Sequence, residues 1–422
     1  MVSVPETFGN IGALAERYDT PLVIYSEARL VKSAADLMAS LPSSATLAYS
    51  IKANPNPTIL RRLSQLGLIA EAASAGELHL ALNSGIEGSR LLLGGPAKSE
   101  AGVKLAITAR VSSVLVESAT DLDLVKRVAQ MTNSTIDVLI RVNPSELRSK
   151  SALRMAGIPS PFGVDEGELM KFIESFDSDS IRFAGLHMYA GSQHFAAEDI
   201  INNTRHLCNV ALQICAHGCA TPRIIDFGGG FGVPEDVSQP EIDLLELRQG
   251  LEQVYQEEVE KLVGMGLEQT IFESGRYIVS RAGIYVSKVL DIKMSHGRRF
   301  VILDGGINNL GIRQLQYRTY EPQLEVWSRS SNISDEPTIV VGPTCTPIDV
   351  VHKECYLPDL QVGDLIVITD FGAYTTNFSP IYFCGHPWPA EVLVAEDGEE
   401  RLVRRRGLVK EACGQGYCDI IG

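Results

Sequence analysis

The residues best placed to do chemistry are a lysine, a glutamate, a histidine and a run of three glycines. Lys52 closes the apolar part of Ala48-Tyr49-Ser50-Ile51-Lys52-Ala53-Asn54-Pro55-Asn56. Tyr49 and Ile51 alternate there with small neighbours, which predicts a strand ending on the lysine, and Asn-Pro-Asn stops it. An amine at the end of an apolar strand can be desolvated. Its pKa then falls, and it becomes a nucleophile able to form a Schiff base. The plain alternative is a lysine that snorkels to water. Glu273 opens Glu273-Ser274-Gly275-Arg276. If buried, it needs a cationic partner. A protonated ring nitrogen would serve, and the carboxylate would keep that ring electron-withdrawing; Arg276 on the same turn is the ordinary alternative. His187, in Leu186-His187-Met188-Tyr189-Ala190-Gly191-Ser192, could stack on a ring or be a satisfied core histidine. Gly228, Gly229 and Gly230 would let backbone N–H groups approach an anion closely, or would simply make a tight turn. No Gly-Lys-Ser/Thr follows them, so they are not a Walker loop. They come after seven strand-like segments, so they are a poor dinucleotide fingerprint. A Schiff-base lysine, an acid for a ring nitrogen and an anion cradle are the parts that a pyridoxal 5'-phosphate site needs.

The elements that must position these residues alternate between strand and helix. Strand-like segments are Leu47–Lys52, Leu68–Ala73, Arg90–Gly94, Ser112–Glu117, Ile136–Val142, Ile181–Tyr189, Arg223–Phe227 and Thr270–Glu273. Helix-like stretches such as Ile59–Leu66, Gly76–Asn83, Ala119–Ala129 and Ala197–His217 lie between them, with apolar residues three and four apart. Most of the strands are near-continuous apolar runs, as in a parallel sheet covered on its outer face. Eight such units predict an α/β fold with a (β/α)8 TIM barrel over residues 28–280. An open doubly wound sheet is the runner-up, because periodicity does not reveal closure. The candidate residues then fall at carboxyl ends of strands one, six, seven and eight, the face where barrel enzymes build sites and hold phosphate. After Arg281 the texture changes. Tyr285–Lys293, Arg299–Asp304, Thr338–Val341, Asp364–Thr369 and Ala390–Ala395 read as strands with few helices between, and Ser328–Glu336 as a polar loop. Residues 1–27, with a strand at Pro21–Tyr25, and 281–422 are therefore expected to form a second, mostly antiparallel β domain.

Composition narrows the function. Apolar residues make up 45% and charged residues 21% of the 422, which is ordinary for a globular protein. A net charge of -15 makes nucleic acid an unfavourable partner and opposes an anionic membrane surface. No apolar run reaches the length of a membrane span, about 18 residues or more. Met1–Asn10 lacks a basic region followed by an apolar core, so no secretory signal is expected. Eight scattered cysteines suit reduced thiols and a cytoplasmic location. Cys215, His217 and Cys219 have no second pair at metal-ligand spacing, and no metal is expected.

Over nearly the whole chain, these residues resemble the group IV pyridoxal-phosphate decarboxylases. That family includes the diaminopimelate, ornithine and arginine decarboxylases, and its barrel is like that of alanine racemase. Tyr49-Ser50-Ile51-Lys52-Ala53-Asn54 is similar to the cofactor-lysine motif. His187 with Gly191-Ser192 is similar to the ring-stacking histidine and a phosphate-side serine. Gly228–Gly230 resembles the phosphate loop, and Glu273-Ser274-Gly275-Arg276 the family's Glu-Pro-Gly-Arg, with Ser for Pro. Gly342-Pro343-Thr344-Cys345, with Asp349 beyond it, is similar to the cysteine motif contributed across a dimer, and Gly372-Ala373-Tyr374 to a tyrosine that reaches the cofactor phosphate. Within the family the diaminopimelate branch matches best. Ile307-Asn308-Asn309-Leu310 through Arg313 and Tyr317 resembles its substrate segment, and Pro389–Val394 with Arg401–Arg406 its ending. Two departures stand out. The branch places a glutamate after the motif cysteine, where it meets the substrate's far amino group; here Thr346 stands there. Its Lys-Phe-Gly is Pro161-Phe162-Gly163.

The resemblance implies a homodimer with shared active sites that decarboxylates an amino acid. It implies that Lys52 carries the cofactor and that Cys345 donates a proton. The cofactor would be bound by His187, Ser192, Gly228–Gly230, Glu273, Gly275, Arg276 and Tyr374, and the substrate by Arg276, Arg313, Tyr317 and Thr346. Thr346 cannot neutralise a cation. The expected substrate is therefore not meso-diaminopimelate but one with an acidic or acylated far end, free or tethered to an acyl carrier protein. A diaminopimelate decarboxylase and an amino-acid racemase are the alternatives. Racemases of this barrel leave the ring nitrogen unprotonated against an arginine, and Glu273 argues against that. A non-catalytic pyridoxal-phosphate carrier would lack the segment after Arg281.

Overall fold

The computed structural model describes residues 4–145, 153–154, 156–218, 220–234, 239–311, 322, 324–327, 336–408 and 411. They fall into two compact units, one formed by Ala34–Pro234 and Pro240–Ile278, the other by Met1–Ser33, Glu235–Gln239 and Val279–Gly422.

The first unit is a barrel of eight parallel strands. In chain order they are β1 (Ala45–Ser50), β2 (Ile69–Ala72), β3 (Leu91–Leu93), β4 (Ser113–Val116), β5 (Ile136–Asn143), β6 (Ile181–His187), β7 (Ile224–Asp226) and β8 (Gln269–Ser274). Each pairs with the next, β8 pairs back onto β1, and the β4–β5 pairing completes the ring, so the open-sheet alternative fails. One apolar residue from every strand meets in the interior: Ala48, Ile69, Leu92, Leu115, Leu139, Ala184, Ile224 and Ile271. That is the filled centre of a TIM barrel, not a pore. The helices start where their sequences cap them, on the rim that carries the strands' carboxyl ends. Asn56 accepts from the N–H of Thr58 at 2.9 Å, with Pro57 at the first helical position. Ser74 accepts from Glu77 N–H while the Glu77 carboxylate takes the N–H of Ala73 at 2.8 Å. Ser118 and Asp121 repeat this arrangement.

The second unit is a β structure built around the long strand Gly283–Ser295, which pairs antiparallel with Leu22–Ser26, Arg298–Leu303 and Leu365–Ile368. Two parallel pairs, Leu22–Ser26 with Ala390–Val394 and Arg298–Leu303 with Thr338–Val341, make it mostly rather than wholly antiparallel. The helix Ile11–Tyr18, capped by Asn10, lays Ile11 and Leu14 on a core of Leu22, Ile24, Ile284, Val286 and Val392.

Local boundaries differ from the sequence reading in two places. The first strand stops at Ser50, and Lys52 sits beyond it in the tight 3-10 turn Ile51–Ala53, because the buried Ile51 and Ala53 turn the chain before the Asn-Pro-Asn stop. Strand β8 runs one residue beyond the expected end at Glu273, to Ser274. Of the expected loop Ser328–Glu336, only Glu336 lies within the described residues.

Gly185 marks where the barrel tolerates no side chain. A Cβ there would lie 1.7 Å from the carbonyl oxygen of Ile224 on β7, and the β5–β6 register shifts at this point. Gly185→Ala should cost about 3 kcal/mol or more, through forced strand separation. Gly264, in the helix Glu260–Met265, has nothing within 4 Å of its would-be Cβ. Gly264→Ala should instead gain up to about 1 kcal/mol. Urea midpoints of the two variants check this; equal midpoints would contradict it.

Candidate active site

The carboxyl rim of the barrel gathers charges that an apolar interior would not hold without partners. The turn bearing Lys52 is fixed by Tyr49, whose hydroxyl donates to Asn54 O at 2.9 Å, and by Asn54, whose side chain accepts from Asn56 N–H at 3.0 Å. The lysine side chain is 39% exposed, so burial alone does not desolvate it; its Nζ lies 3.0 Å from the buried carboxylate of Glu71 at the end of β2. The face of Tyr189 is 5.9 Å away.

His187, Asp226 and Glu273 end β6, β7 and just short of the end of β8, and all three are buried. His187 Nε2 lies 3.4 Å from Glu273 Oε1, and one atom from each of the three groups lies within 4.8 Å of the others. Burial pushes the Glu273 carboxyl up, but the facing imidazole outweighs it, with Lys52 and Arg141 adding, and holds it at about 2. Asp226 goes the other way. Burial, and then the charge of Glu273, raise it well above the carboxylate range. Two buried acids side by side disfavour joint ionisation, and the shift favours the neutral form of Asp226. Among the described residues, Glu273 Oε1, Asp226 Oδ2 and His187 Nδ1 make no hydrogen bond.

The glycine turn packs too tightly for any side chain. A Cβ on Gly228, Gly229 or Gly230 would lie 2.3, 2.0 or 2.3 Å from the carbonyl oxygens of Met188, Glu273 and Gly191. Gly228 and Gly230 also have positive φ, at 65° and 104°. Glu273 N–H donates to Gly228 O at 2.7 Å. Ser192, half-buried, lies in the two-residue strand Gly191–Ser192, which pairs antiparallel with Leu153–Arg154. Gly275 packs on the turn bearing Lys52, where a Cβ would be 2.6 Å from Ala53, and Arg276 is buried at the start of the short helix Arg276–Val279.

A second buried pair closes another side of the rim. Arg141 on β5 donates to both oxygens of Glu117 at 3.2 Å. Glu117 also accepts from Gly163 N–H at 3.1 Å, and Phe162 covers the guanidinium at 4.7 Å. The Pro161-Phe162-Gly163 departure thus lies against a buried ion pair.

Other expected residues lie in the β unit. Cys345 is exposed and Thr346 half-buried, the latter lining an open groove of about 430 Å³ with Lys293, Phe300 and Thr344. Asp349, 3% exposed, is committed to its own loop. It accepts from the N–H groups of Ile307 at 2.7 Å and Thr344 at 2.8 Å, and from the Thr344 hydroxyl. Glu354 is exposed and paired with Arg298 at 3.2 Å. Tyr374 is half-buried with φ 54°, and a Cβ on Gly372 would meet Val279 O at 1.6 Å. Arg313 and Tyr317 lie outside the described residues, as does Cys219.

Glu71, Glu117, Arg141 and Gln193 escaped the sequence reading, and Asp226 was given no role. Charged residues within or just after strands that are otherwise apolar were the available signal.

Residues 27–280 match the family described as "Pyridoxal-dependent decarboxylase, pyridoxal binding domain". The chain is 31% identical over 409 residues to the L-glutamyl-[BtrI acyl-carrier protein] decarboxylase of Niallia circulans, covering 95% of this chain and 94% of that protein. It is 29% identical to a diaminopimelate decarboxylase of Helicobacter pylori, covering 95% and 96%. The crystal structure of the Helicobacter pylori diaminopimelate decarboxylase complexed with L-lysine superposes with a TM-score of 0.86 at 28% identity, covering 96% and 98%.

The raised Asp226 has a pH signature. Its contribution to stability is fully present below its ordinary value of 3.8 and is lost as pH rises through its folded-state value. Asp226→Asn removes that dependence. The variant should therefore improve relative to the parent chain between about pH 4 and pH 7. Urea midpoints of both cofactor-free chains at the two pH values check this; a constant difference would contradict it.

Proposed function

We propose that this chain, which belongs to the pyridoxal-dependent decarboxylases, removes the α-carboxyl group of an amino acid whose far end bears no free ammonium. Pyridoxal phosphate is its cofactor and amino-acid decarboxylation its reaction. Two features of the barrel fit that group. Glu273 has a buried oxygen with no hydrogen bond, as a carboxylate awaiting a ring N–H would. The glycine turn leaves three consecutive N–H groups, those of Gly229, Gly230 and Phe231, without a hydrogen bond among the described residues, which suits a phosphate.

On this reading Lys52 would hold the cofactor, and Glu71, 3.0 Å from its Nζ, would receive the free ammonium. His187 would face the ring. Ser192, Gly228–Gly230, Gly275, Arg276 and Tyr374 serve the phosphate end. The bound cofactor supplies an electron sink for the pair left when carbon dioxide departs. The partner subunit's Cys345 returns a proton to the α-carbon, which makes the working unit a homodimer with shared sites. Arg276, Arg313, Tyr317 and Thr346 meet the substrate. Reduced thiols at Cys208, Cys215, Cys345, Cys355 and Cys384 support a cytoplasmic setting. No helix among the described residues is long and apolar enough to cross a membrane.

The observation that carries the substrate reading is the pairing of Thr346 with a committed Asp349. Thr346 replaces the acid of the diaminopimelate branch, and Asp349 spends both its oxygens on its own loop. A far ammonium would be left without a counter-charge, at a cost of several kcal/mol. An acidic or acylated far end avoids this, and the carrier-linked relative supports a glutamyl group on an acyl carrier protein.

Carbon dioxide release from glutamyl-carrier, free glutamate, 3-methylaspartate, ornithine, lysine and meso-diaminopimelate tests the reading. The carrier-linked or acidic substrates should be turned over. Turnover of meso-diaminopimelate at a kcat/KM of ~10⁴ M⁻¹s⁻¹ or above would replace it with an ordinary diaminopimelate decarboxylase. Borohydride should fix the cofactor on the peptide containing Lys52; a label on another lysine would remove Lys52 from its role.

A further inference from the structure

Gln193 stands in a backbone conformation that its side chain disfavours. Its φ is 63°, in the left-handed region, and it is 3% exposed. A non-glycine residue there is uncommon and strained. The side chain shows what the conformation achieves. Gln193 Nε2 donates to Val233 O at 3.0 Å, and Gln193 Oε1 accepts from Val233 N–H at 2.9 Å. One side chain thus does for Val233 what a neighbouring strand would do. A primary amide offers a donor and an acceptor side by side in this way; an ionised carboxylate accepts only.

The neighbouring residue extends the grip. His194 N–H donates to Gly230 O at 2.9 Å and Gly232 N–H donates to His194 O at 3.0 Å, a parallel bridge between His194 and Phe231. At the other end Asp226 Oδ1 accepts from Gly228 N–H at 2.9 Å. The turn is therefore tied at Gly228 on one side and at Gly232 and Val233 on the other. Between the ties lie the N–H groups of Gly229, Gly230 and Phe231, none of them bonded among the described residues. Successive free N–H groups in a turn form an anion-binding concavity.

We infer that Gln193 is a positioning residue for the phosphate end of the cofactor, holding the chain after the glycine turn so that those three N–H groups remain free for one anion. The inference rests on the reading of the turn as the phosphate site. Removing the amide leaves the buried N–H and C=O of Val233 without partners. The chain then has reason to rotate toward other partners, and the free N–H groups are the nearest part to be disturbed. Ligands without a phosphate have nothing to lose.

The test compares pyridoxal 5'-phosphate with pyridoxal, titrated into the apo dimer and read by absorbance and fluorescence quenching, for the parent chain, Gln193→Ala and Gln193→Glu. Glutamate is isosteric with glutamine, so Gln193→Glu tests the donor with the volume kept. Both variants should weaken pyridoxal 5'-phosphate about tenfold or more while moving pyridoxal less than about twofold. Inorganic phosphate should compete less well with pyridoxal 5'-phosphate in the variants than in the parent. Equal weakening of both ligands, or none in a folded variant, would overturn the inference and leave Gln193 a structural residue. Failure of the parent chain to prefer pyridoxal 5'-phosphate over pyridoxal would instead overturn the phosphate reading of the turn.

Discussion

Burying a carboxylate without a partner is among the costliest things a fold can do, and this barrel buries four at one rim. Glu71, Glu117, Asp226 and Glu273 are each less than 7% exposed. The fixed cations do not cover them evenly. Glu71 has Lys52 and Glu117 has Arg141. Burial and the charge of Glu273 push the Asp226 carboxyl well above the usual carboxylate range. Glu273 turns Oε1 toward His187 Nε2 at 3.4 Å, and that oxygen makes no hydrogen bond among the described residues. A protonated ring nitrogen is a donor that would supply one. Catalysis by such a ring depends on its staying cationic, so a carboxylate held at about 2 by its neighbours is a weak base that leaves the ring its proton.

The same glutamate also ties the two ends of the site together. Its backbone N–H donates to Gly228 O, and a Cβ on Gly229 would collide with its carbonyl. Glu273 and the glycine turn are therefore one rigid piece, spanning β7 and β8, which on the proposed reading would join the acid for the ring to the turn for the phosphate. A ligand carrying a ring nitrogen and a phosphate at a fixed separation meets a site of fixed length. This explains why three successive positions take glycine: the turn must lie directly on the strand that carries the acid.

Much of this was legible in the sequence because apolar strands and capped helices repeat eight times, and because Lys52, Glu273 and the glycines stand at the ends of those repeats. Eight βα units favoured the closed barrel over an open sheet, but periodicity does not itself encode the contact that closes it, β8 meeting β1. The surrounding charge network was not legible. Glu71 and Arg141 sit in strands whose pattern says only that they are buried, and which acid meets which cation depends on strand order around the ring. Gln193 was hidden for a different reason. A glutamine in a polar turn gives no signal; its importance lies in a left-handed φ and two bonds to Val233, 40 residues away.

Specificity in the β unit obeys a related constraint. The loop from Gly342 to Asp349 is held by a buried aspartate whose oxygens are all engaged, and Gly306 and Gly342 press against it closely enough that a Cβ would fall 2.2 and 2.3 Å from its Oδ1. Such a loop is a rigid mount. The side chain at Thr346 can change without moving the mount, because the threonine's own backbone N–H is bonded within the loop, to Thr344 O at 2.8 Å. Exchanging an acid for a hydroxyl there removes a charge and leaves the geometry in place. On the proposed reading, discrimination between an ammonium and an acyl or acidic far end would come from one uncompensated charge rather than from a reshaped pocket, and the buried aspartate nearby would be unable to restore it without releasing the loop it holds.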